Sequence, residues 1–280
     1  MAAEEEGLTG PGGTRPVPGP ESGRGQNPQP APEAASQPAS QPVQGPAAAP
    51  GTEHRPEPRS VPELLLGRPP MTRPLPTFDA EAAPAEPGPL FVDWLATALD
   101  AGVLDPQVVT LSTVDADGMP DARVLVLRDI DAAGTGWVFS AAADSPKGRQ
   151  LGDHPAAAIT VYWPQLGRQV RVRGTVERAA DQVAAAEFAT RSPAARIGAL
   201  VGRQSEPLAS PAEYEEAVAV ARRRLEATPD AVAAGHTVYT LWAHEVEFWQ
   251  GHAERHHVRL RYTRTGPVRT PEWSRTLLWP

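Results

Sequence analysis

The chain of 280 residues has no cysteine. Disulfides, thiolate nucleophiles and cysteine-ligated zinc are therefore excluded, and the composition fits a reducing compartment. No apolar run approaches the ~20 residues that a membrane-spanning helix needs. The N-terminus, MAAEEEG, is acidic and lacks the apolar core of a secretory signal. A surplus of basic residues is also missing. The 26 Lys and Arg stand against 34 Asp and Glu, for a formal net charge of −8, so no global field draws the chain to DNA or RNA. No G-x-S-x-G, P-loop or H-E-x-x-H sequence occurs, which removes the commonest local signatures of serine hydrolases, phosphate-loop enzymes and zinc proteases. These absences predict a soluble, cytoplasmic protein that binds neither nucleic acid nor membrane.

Aromatic residues are absent from the first 60 positions, which hold 13 of the 33 prolines and, as large aliphatics, only Leu8, Val17 and Val43. Such a segment cannot bury enough apolar surface to offset its ordering entropy. Residues 1–60 are therefore expected to form a disordered tail rich in Pro, Ala and Gly. Stretches such as SQPASQPVQGP favour extended, partly polyproline-like backbone. A solvated tail is the simplest reading, with a Pro-rich docking segment as the alternative. Residues 61–87 read as an N-terminal arm, in which VPELLLG predicts a short helix and RPPMTRPLPTF an ordered strap on the domain.

Residues 88–280 carry a globular pattern. In GPLFVDWLATALDAG the apolar pairs Leu90/Phe91, Trp94/Leu95 and Ala98/Leu99 recur four apart, predicting an amphipathic helix that ends at Gly102. PQVVTLSTVD and ARVLVLRDI flank Asp117-Gly118 and predict a hairpin. GWVFSA, AAAITVYW and RQVRVRGTVER predict further strands. SPKGRQL predicts a short helix with Ser145 as N-cap and Pro146 in its first turn. Helices are predicted over roughly 180–191 and 211–227, the second opened by Ser210-Pro211-Ala212-Glu213, a capping box. HTVYTLW, HEVEFWQG and HVRLRYTRT return to strand. At least six strands with short turns, interrupted by helices, predict a mainly antiparallel β-barrel with helical additions.

Three places carry candidate chemistry. Ser145-Pro146-Lys147-Gly148-Arg149 puts a cation and free backbone N–H groups at a helix N-terminus, which suits a phosphate; an ordinary cap with surface cations is the plainer reading. Arg123 sits among apolar strand neighbours and needs a carboxylate or a ligand anion as partner. Arg128 ends the same strand on the opposite face. FWQGHAERHHVRLRY concentrates Trp249, His252, Glu254, Arg255, His256, His257 and Arg259. That stretch reads as a metal site of His252, His256 and His257, as a cationic wall with Trp249 for stacking, or as a barrel edge with solvated basic residues. Nothing orients the histidines as ligands, so no metal is expected.

From about Leu90 to Pro280 these pieces, in this order, resemble the pyridoxamine 5′-phosphate oxidase family: FVDWLATAL, TLSTVDADGMPDARVLVLRD, VFSAAADSPKGRQL, YWPQLGRQVRVRGTVER, RSPAARIGALVGRQSEPL, EFWQGHAERHHVRLRY and a closing LLWP. The resemblance implies a split β-barrel homodimer that binds FMN in clefts between the subunits. Carried over by position, Arg123 and Lys147 would neutralise the FMN phosphate. Gln169, together with Gln204 and Ser205 from the partner chain, would hydrogen-bond the flavin or its phosphate tail, and Trp249 and Arg259 would line the isoalloxazine. Arg255 and His257 match the family's substrate-facing Arg-x-His. The implied reaction passes a hydride from a small-molecule substrate to the flavin. It converts pyridoxine or pyridoxamine 5′-phosphate to pyridoxal 5′-phosphate, with O2 as acceptor and H2O2 as product.

The chain departs from the family at the substrate phosphate. Where the family has Lys, Tyr, Arg and Ser, this chain has Arg128, Glu187, Arg191 and Ala195. A carboxylate beside a phosphate dianion is unfavourable unless it pairs with an arginine, and Glu187 and Arg191 are four apart on a predicted helix, at pairing distance. Pro146 replaces an arginine of the family's S-R-K stretch. SPKG and GRQSEPL also resemble the phenazine-biosynthesis oxidases of the same fold. An oxidase of a secondary-metabolite ring system and a flavin-binding protein without turnover are thus the alternatives to vitamin B6 oxidation.

Overall fold

The computed structural model describes residues 59–280; the tail expected over 1–60 lies outside the described residues apart from its last two. The arm opens with helix α1 (Val61–Leu65), whose N-cap Ser60 and Glu63 form a reciprocal capping box. Beyond it the strap lies on the domain: Arg73 Nε donates to the Gln165 carbonyl at 2.9 Å, and the Phe78 ring stands edge-on to Trp94 at 5.1 Å. Helix α2 (Pro87–Asp100) buries Leu90, Phe91, Trp94 and Ala98, the stripe that the four-residue spacing predicts, although Leu99 of that pattern is exposed.

The hairpin is present as β1 (Val108–Val114) and β2 (Pro120–Ile130). Asp115 closes its turn by accepting from the backbone N–H groups of Asp117 and Met119 at 3.0 and 2.8 Å. There follow β3 (Gly136–Ala142), α3 (Pro146–Asp153), β4 (Ala156–Trp163) and β5 (Arg168–Arg178). Three helices, α4 (Asp181–Ala189), α5 (Pro193–Val201) and α6 (Pro211–Ala227), precede the closing strands β6 (His236–Gln250), β7 (Val258–Arg264) and β8 (Trp273–Leu277).

The eight strands run in the order β3-β2-β1-β4-β5-β6-β7-β8, and β3 pairs back onto β6. Strands β1 to β6 therefore close a six-stranded antiparallel barrel, which leaves them no free edge, and β7 and β8 extend from β6 outside the closure. The core holds Trp137, Phe139, Trp163, Phe248 and Tyr262, and α2 inserts Phe91 against Trp137 and Trp94 against Phe248, edge-to-face at 4.6 and 5.1 Å.

Four elements differ from the sequence reading. HTVYTLW and HEVEFWQG are one strand of 15 residues. Its first part pairs with β3 and its last part with β7, while β5 follows it along most of its length. The pairing with β5 shifts register at Arg173/Gly174, where a Cβ on Gly174 would lie 2.0 Å from the Trp242 carbonyl oxygen; the bulge requires glycine. Helix α5 and strand β8 were not expected. At α6 the capping box is half formed: Ser210 Oγ accepts from Glu213 N at 3.2 Å, but the Glu213 carboxylate accepts from Ala209 N and from Arg203.

Candidate cofactor and substrate site

Strand β2 and helix α3 build a cationic seat. Ser145 caps α3: its hydroxyl accepts from Gly148 N at 3.3 Å and donates to the Ala142 carbonyl at 2.6 Å. A Cβ on Gly148 would meet the carbonyls of Ala142 and Ala143, both at 2.4 Å, so glycine lets the first turn of the helix sit against the end of β3. Lys147 Nζ donates to Ser145 Oγ at 3.3 Å and to Gln204 Oε1 at 2.8 Å. Arg123 reaches the same place from β2, donating to Thr113 Oγ1 at 2.6 Å and Gln150 Oε1 at 3.3 Å and pairing with Asp121. Burial, and then the positive charge of Arg123, hold the Lys147 ammonium below the usual lysine range. Two cations kept together with a single carboxylate in direct contact make a seat for an anion.

Gln204 meets Lys147 because the loop after α5 is pinned. Arg203 and Ser205 adopt φ of 55° and 73°, the left-handed region that non-glycine residues rarely occupy. Arg203 holds the turn through ion pairs of 2.9 Å to Glu206 and to Glu213 of α6. Arg123, Lys147, Gln204, Ser205, Arg191 and His236 all line one cavity of about 980 Å³, at the upper end of the range for cofactor and ligand sites. A phosphate-bearing cofactor fits this donor set and this volume. Within the single chain, Gln204 and Ser205, which the resemblance places in the site from a partner chain, line the same cavity as Lys147.

The remaining expected residues form a second group. Gln169, Trp249 and Arg259 are consecutive partners across β5, β6 and β7, so one row of the sheet carries all three. Buried Glu247 aims two arginines, accepting from Arg259 Nε at 2.9 Å and Arg171 Nη2 at 2.7 Å. The His257 ring lies 4.8 Å from Trp249. Its Nδ1 accepts from the backbone N–H of His252 at 3.0 Å, and Arg255 turns the loop at φ 66°. Burial and neighbouring Arg255 hold the His257 imidazole below its ordinary value. None of these residues lines the cavity of the first group. The histidines divide differently from the sequence reading: the ligand atoms that converge, within 4.8 Å of one another, belong to exposed His252, Glu254 and His256, while His257 is engaged elsewhere.

The third cluster is the expected substrate seat. Glu187 of α4 forms the anticipated ion pair with Arg191, at 3.5 Å, and lies 3.8 Å from Arg128 Nε. Ser140 Oγ donates to the same carboxylate at 3.5 Å and accepts from Arg191 Nη2 at 3.3 Å. Sequence reasoning missed His236, whose Nε2 stands 2.6 Å from Glu187 Oε2. A lone histidine 49 residues away in the chain carries no local signal of that contact. Burial holds this imidazole below its ordinary value, against the upward pull of Glu187.

Comparison with known proteins identifies the family. Residues 95–235 match the family profile described as pyridoxamine 5′-phosphate oxidase. Residues 236–280 match that of the pyridoxine 5′-phosphate oxidase C-terminal dimerisation region. The chain is 40% identical over 200 residues to a pyridoxine/pyridoxamine 5′-phosphate oxidase of Rhodopseudomonas palustris, covering 71% of this chain and 91% of the relative. It is 38% identical over 198 residues to one of Rubrobacter xylanophilus, covering 70% and 88%. Among solved structures, PhzG from Burkholderia lata, in complex with tetrahydrophenazine-1-carboxylic acid, superposes with a TM-score of 0.63 at 30% identity, covering 74% of this chain and 99% of PhzG. An FMN-binding protein of Nostoc punctiforme shares the fold, with a TM-score of 0.56 at 21% identity, covering 67% and 96%. The chain belongs to the pyridoxamine 5′-phosphate oxidase family of FMN-dependent oxidoreductases.

Proposed function

We propose that this chain converts pyridoxine and pyridoxamine 5′-phosphate to pyridoxal 5′-phosphate in the cytoplasm, with O2 as electron acceptor and H2O2 as product. The observation that carries the reading is one cavity with two cationic seats, Arg123 with Lys147 and Arg191 with Arg128 behind it, as the phosphates of a cofactor and of a substrate require. When bound, FMN supplies the two-electron acceptor and its reoxidation by dioxygen. Lys147, Arg123, Gln204 and Ser205 hold its phosphate end, and Arg191 holds the substrate's. Gln169, Trp249 and Arg259 line its ring, while Arg255 and His257 face the substrate. The second group does not reach its own chain's cavity, so the site is completed by the same residues of a second copy in a homodimer. Two observations support that arrangement: the dimerisation-region match over 236–280, and Val124, which lines the cavity yet is 70% exposed in the single chain. Residues 88–280 form the oxidase domain, and residues 61–87 are its N-terminal arm.

A second reading, an oxidase of a secondary-metabolite ring system, is favoured by one observation: Glu187 pairs with Arg191 and reduces the positive charge offered to a phosphate. Anaerobic addition of pyridoxine 5′-phosphate separates the two. Bleaching of the flavin absorbance is the expected result; an oxidised spectrum that persists moves the substrate to the second class. Lys147→Ala is expected to weaken FMN retention by about 1–3 kcal/mol, the cost of losing a charged hydrogen-bond partner. Unchanged flavin content after dialysis would remove Lys147 from the phosphate seat.

A further inference from the structure

We infer that Glu187 and His236 form a proton-accepting part of the substrate's anion seat, so that a doubly charged phosphate enters together with one proton, which His236 takes. The inference rests on the proposed reading that Arg191 receives the substrate's phosphate.

The local charges do not match a dianion as they stand. Arg128 and Arg191 contribute two positive charges and Glu187 one negative. With His236 neutral the seat is left with a single positive charge. A phosphate ester is largely dianionic at neutral pH, its second ionisation lying at about 6. Its second charge would face the Glu187 carboxylate, which repels it.

His236 is placed to correct this. It lines the cavity, its side chain is 3% exposed, and its Nε2 lies 2.6 Å from Glu187. Nε2 must donate to the carboxylate, which leaves Nδ1 to accept a further proton. The charged groups facing it come from several elements. They are Arg128 of β2, Glu187 of α4, Arg191 just after α4, and Asp144 in the turn after β3, whose carboxylate lies beside Gly235. From α5, Arg196 lies across the Phe188 ring that packs on His236. In the free protein burial and the two nearby arginines keep the imidazole below its ordinary value. A dianion bound on those arginines cancels their repulsion and raises it. The sign follows: a group whose affinity for protons is higher in the complex strengthens binding below its free-state pKa, and this gain is lost as pH rises through the bound-state value. The Tyr hydroxyl that the family has at 187 is thus replaced by a carboxylate paired with His236, the Ser hydroxyl at 195 is lost, and phosphate recognition becomes dependent on pH.

The test is titration of the FMN-loaded protein with pyridoxal 5′-phosphate by calorimetry at pH 7.5, in two buffers of different ionisation enthalpy. The expected result is uptake of about one proton, with the ³¹P resonance of the bound phosphate at its dianion position. His236→Asn should abolish the uptake and weaken binding at pH 7 by about tenfold, the worth of one pKa unit. Glu187→Gln, nearly isosteric and therefore the safer variant to fold, should also abolish the uptake and tighten binding at pH 8. No uptake by the parent protein, undiminished uptake in Glu187→Gln, or a monoanion ³¹P position each overturns the inference. Pyridoxal 5′-phosphate bound without uptake sinks the inference and leaves the proposed reaction standing. Phenyl phosphate bound with uptake, while pyridoxine 5′-phosphate goes unoxidised, upholds the inference and removes the reaction.

Discussion

Trp94→Ala is expected to cost about 3–5 kcal/mol of unfolding free energy, the range for truncating a buried aromatic to alanine. The ring is 1% exposed. It is fixed on three sides: Phe78 from the strap and Phe248 from β6 stand edge-on to it at 5.1 Å each, and the Arg168 guanidinium lies 4.3 Å above its face. Its removal leaves a cavity between α2 and the barrel that side chains held by β6 cannot refill. It also strips the cation–π partner from Arg168, a charge that is itself largely buried. Urea unfolding at fixed protein concentration should show a lower midpoint with an unchanged slope. A loss under about 1 kcal/mol would mean that the strap and α2 collapse onto the gap, and that Trp94 is not the anchor between helix and barrel.

Glu247→Ala is expected to destabilise by about 2–3 kcal/mol and to weaken flavin binding as well. A fully buried pair that loses one partner costs more, about 3–5 kcal/mol. Here the carboxylate is 4% exposed but its partners Arg171 and Arg259 are 42% and 28% exposed, so water recovers part of the loss. The flavin effect comes through Arg259: with Glu247 gone its remaining hydrogen bond is the one to the Trp279 carbonyl, at 2.9 Å, and the guanidinium loses its aim. Glu247→Gln keeps the shape and an acceptor but not the charge, and should show roughly half the stability loss. Equal stability in both variants and the parent, measured by denaturant unfolding, would show that the two arginines find other partners. Normal flavin content in Glu247→Ala would remove Arg259 from the cofactor wall.

Much of the fold was legible where structure depends on neighbours in sequence. Alternation in RQVRVRGTVER, the Asp-Gly turn and the four-residue apolar spacing of α2 each specify an element from within a dozen residues. The Ser-Pro signal opens α3 at 145–146 and α6 at 210–211, and the same signal at Ser192-Pro193 starts α5, where Ser192 Oγ accepts from Ala195 N at 3.3 Å. Strand β6 was not readable as one element. His236 to Trp242 and His244 to Gln250 have different neighbours, β3 on one side and β7 on the other, and the junction between them looks like a break until the barrel closes.

The candidate site divides in the same way. The candidate anion seat at Ser145-Lys147 is local: the cap and its cation lie within five residues, although an ordinary capped helix reads the same way. The Glu187–Arg191 pair is local too, since four residues of helix bring the two side chains together. The sequence by itself thus determined the antiparallel barrel with its helical additions, the cationic helix start and the Glu187–Arg191 pair, because each follows from backbone periodicity and near-neighbour chemistry. The tertiary structure alone decided that Gln204 sits on Lys147 of its own chain, that Gln169, Trp249 and Arg259 form a row outside that cavity, and that His236 faces Glu187. Those contacts join residues 57, 80 and 49 positions apart. Their meeting is set by which strands pair when the barrel closes, and no local pattern encodes that pairing.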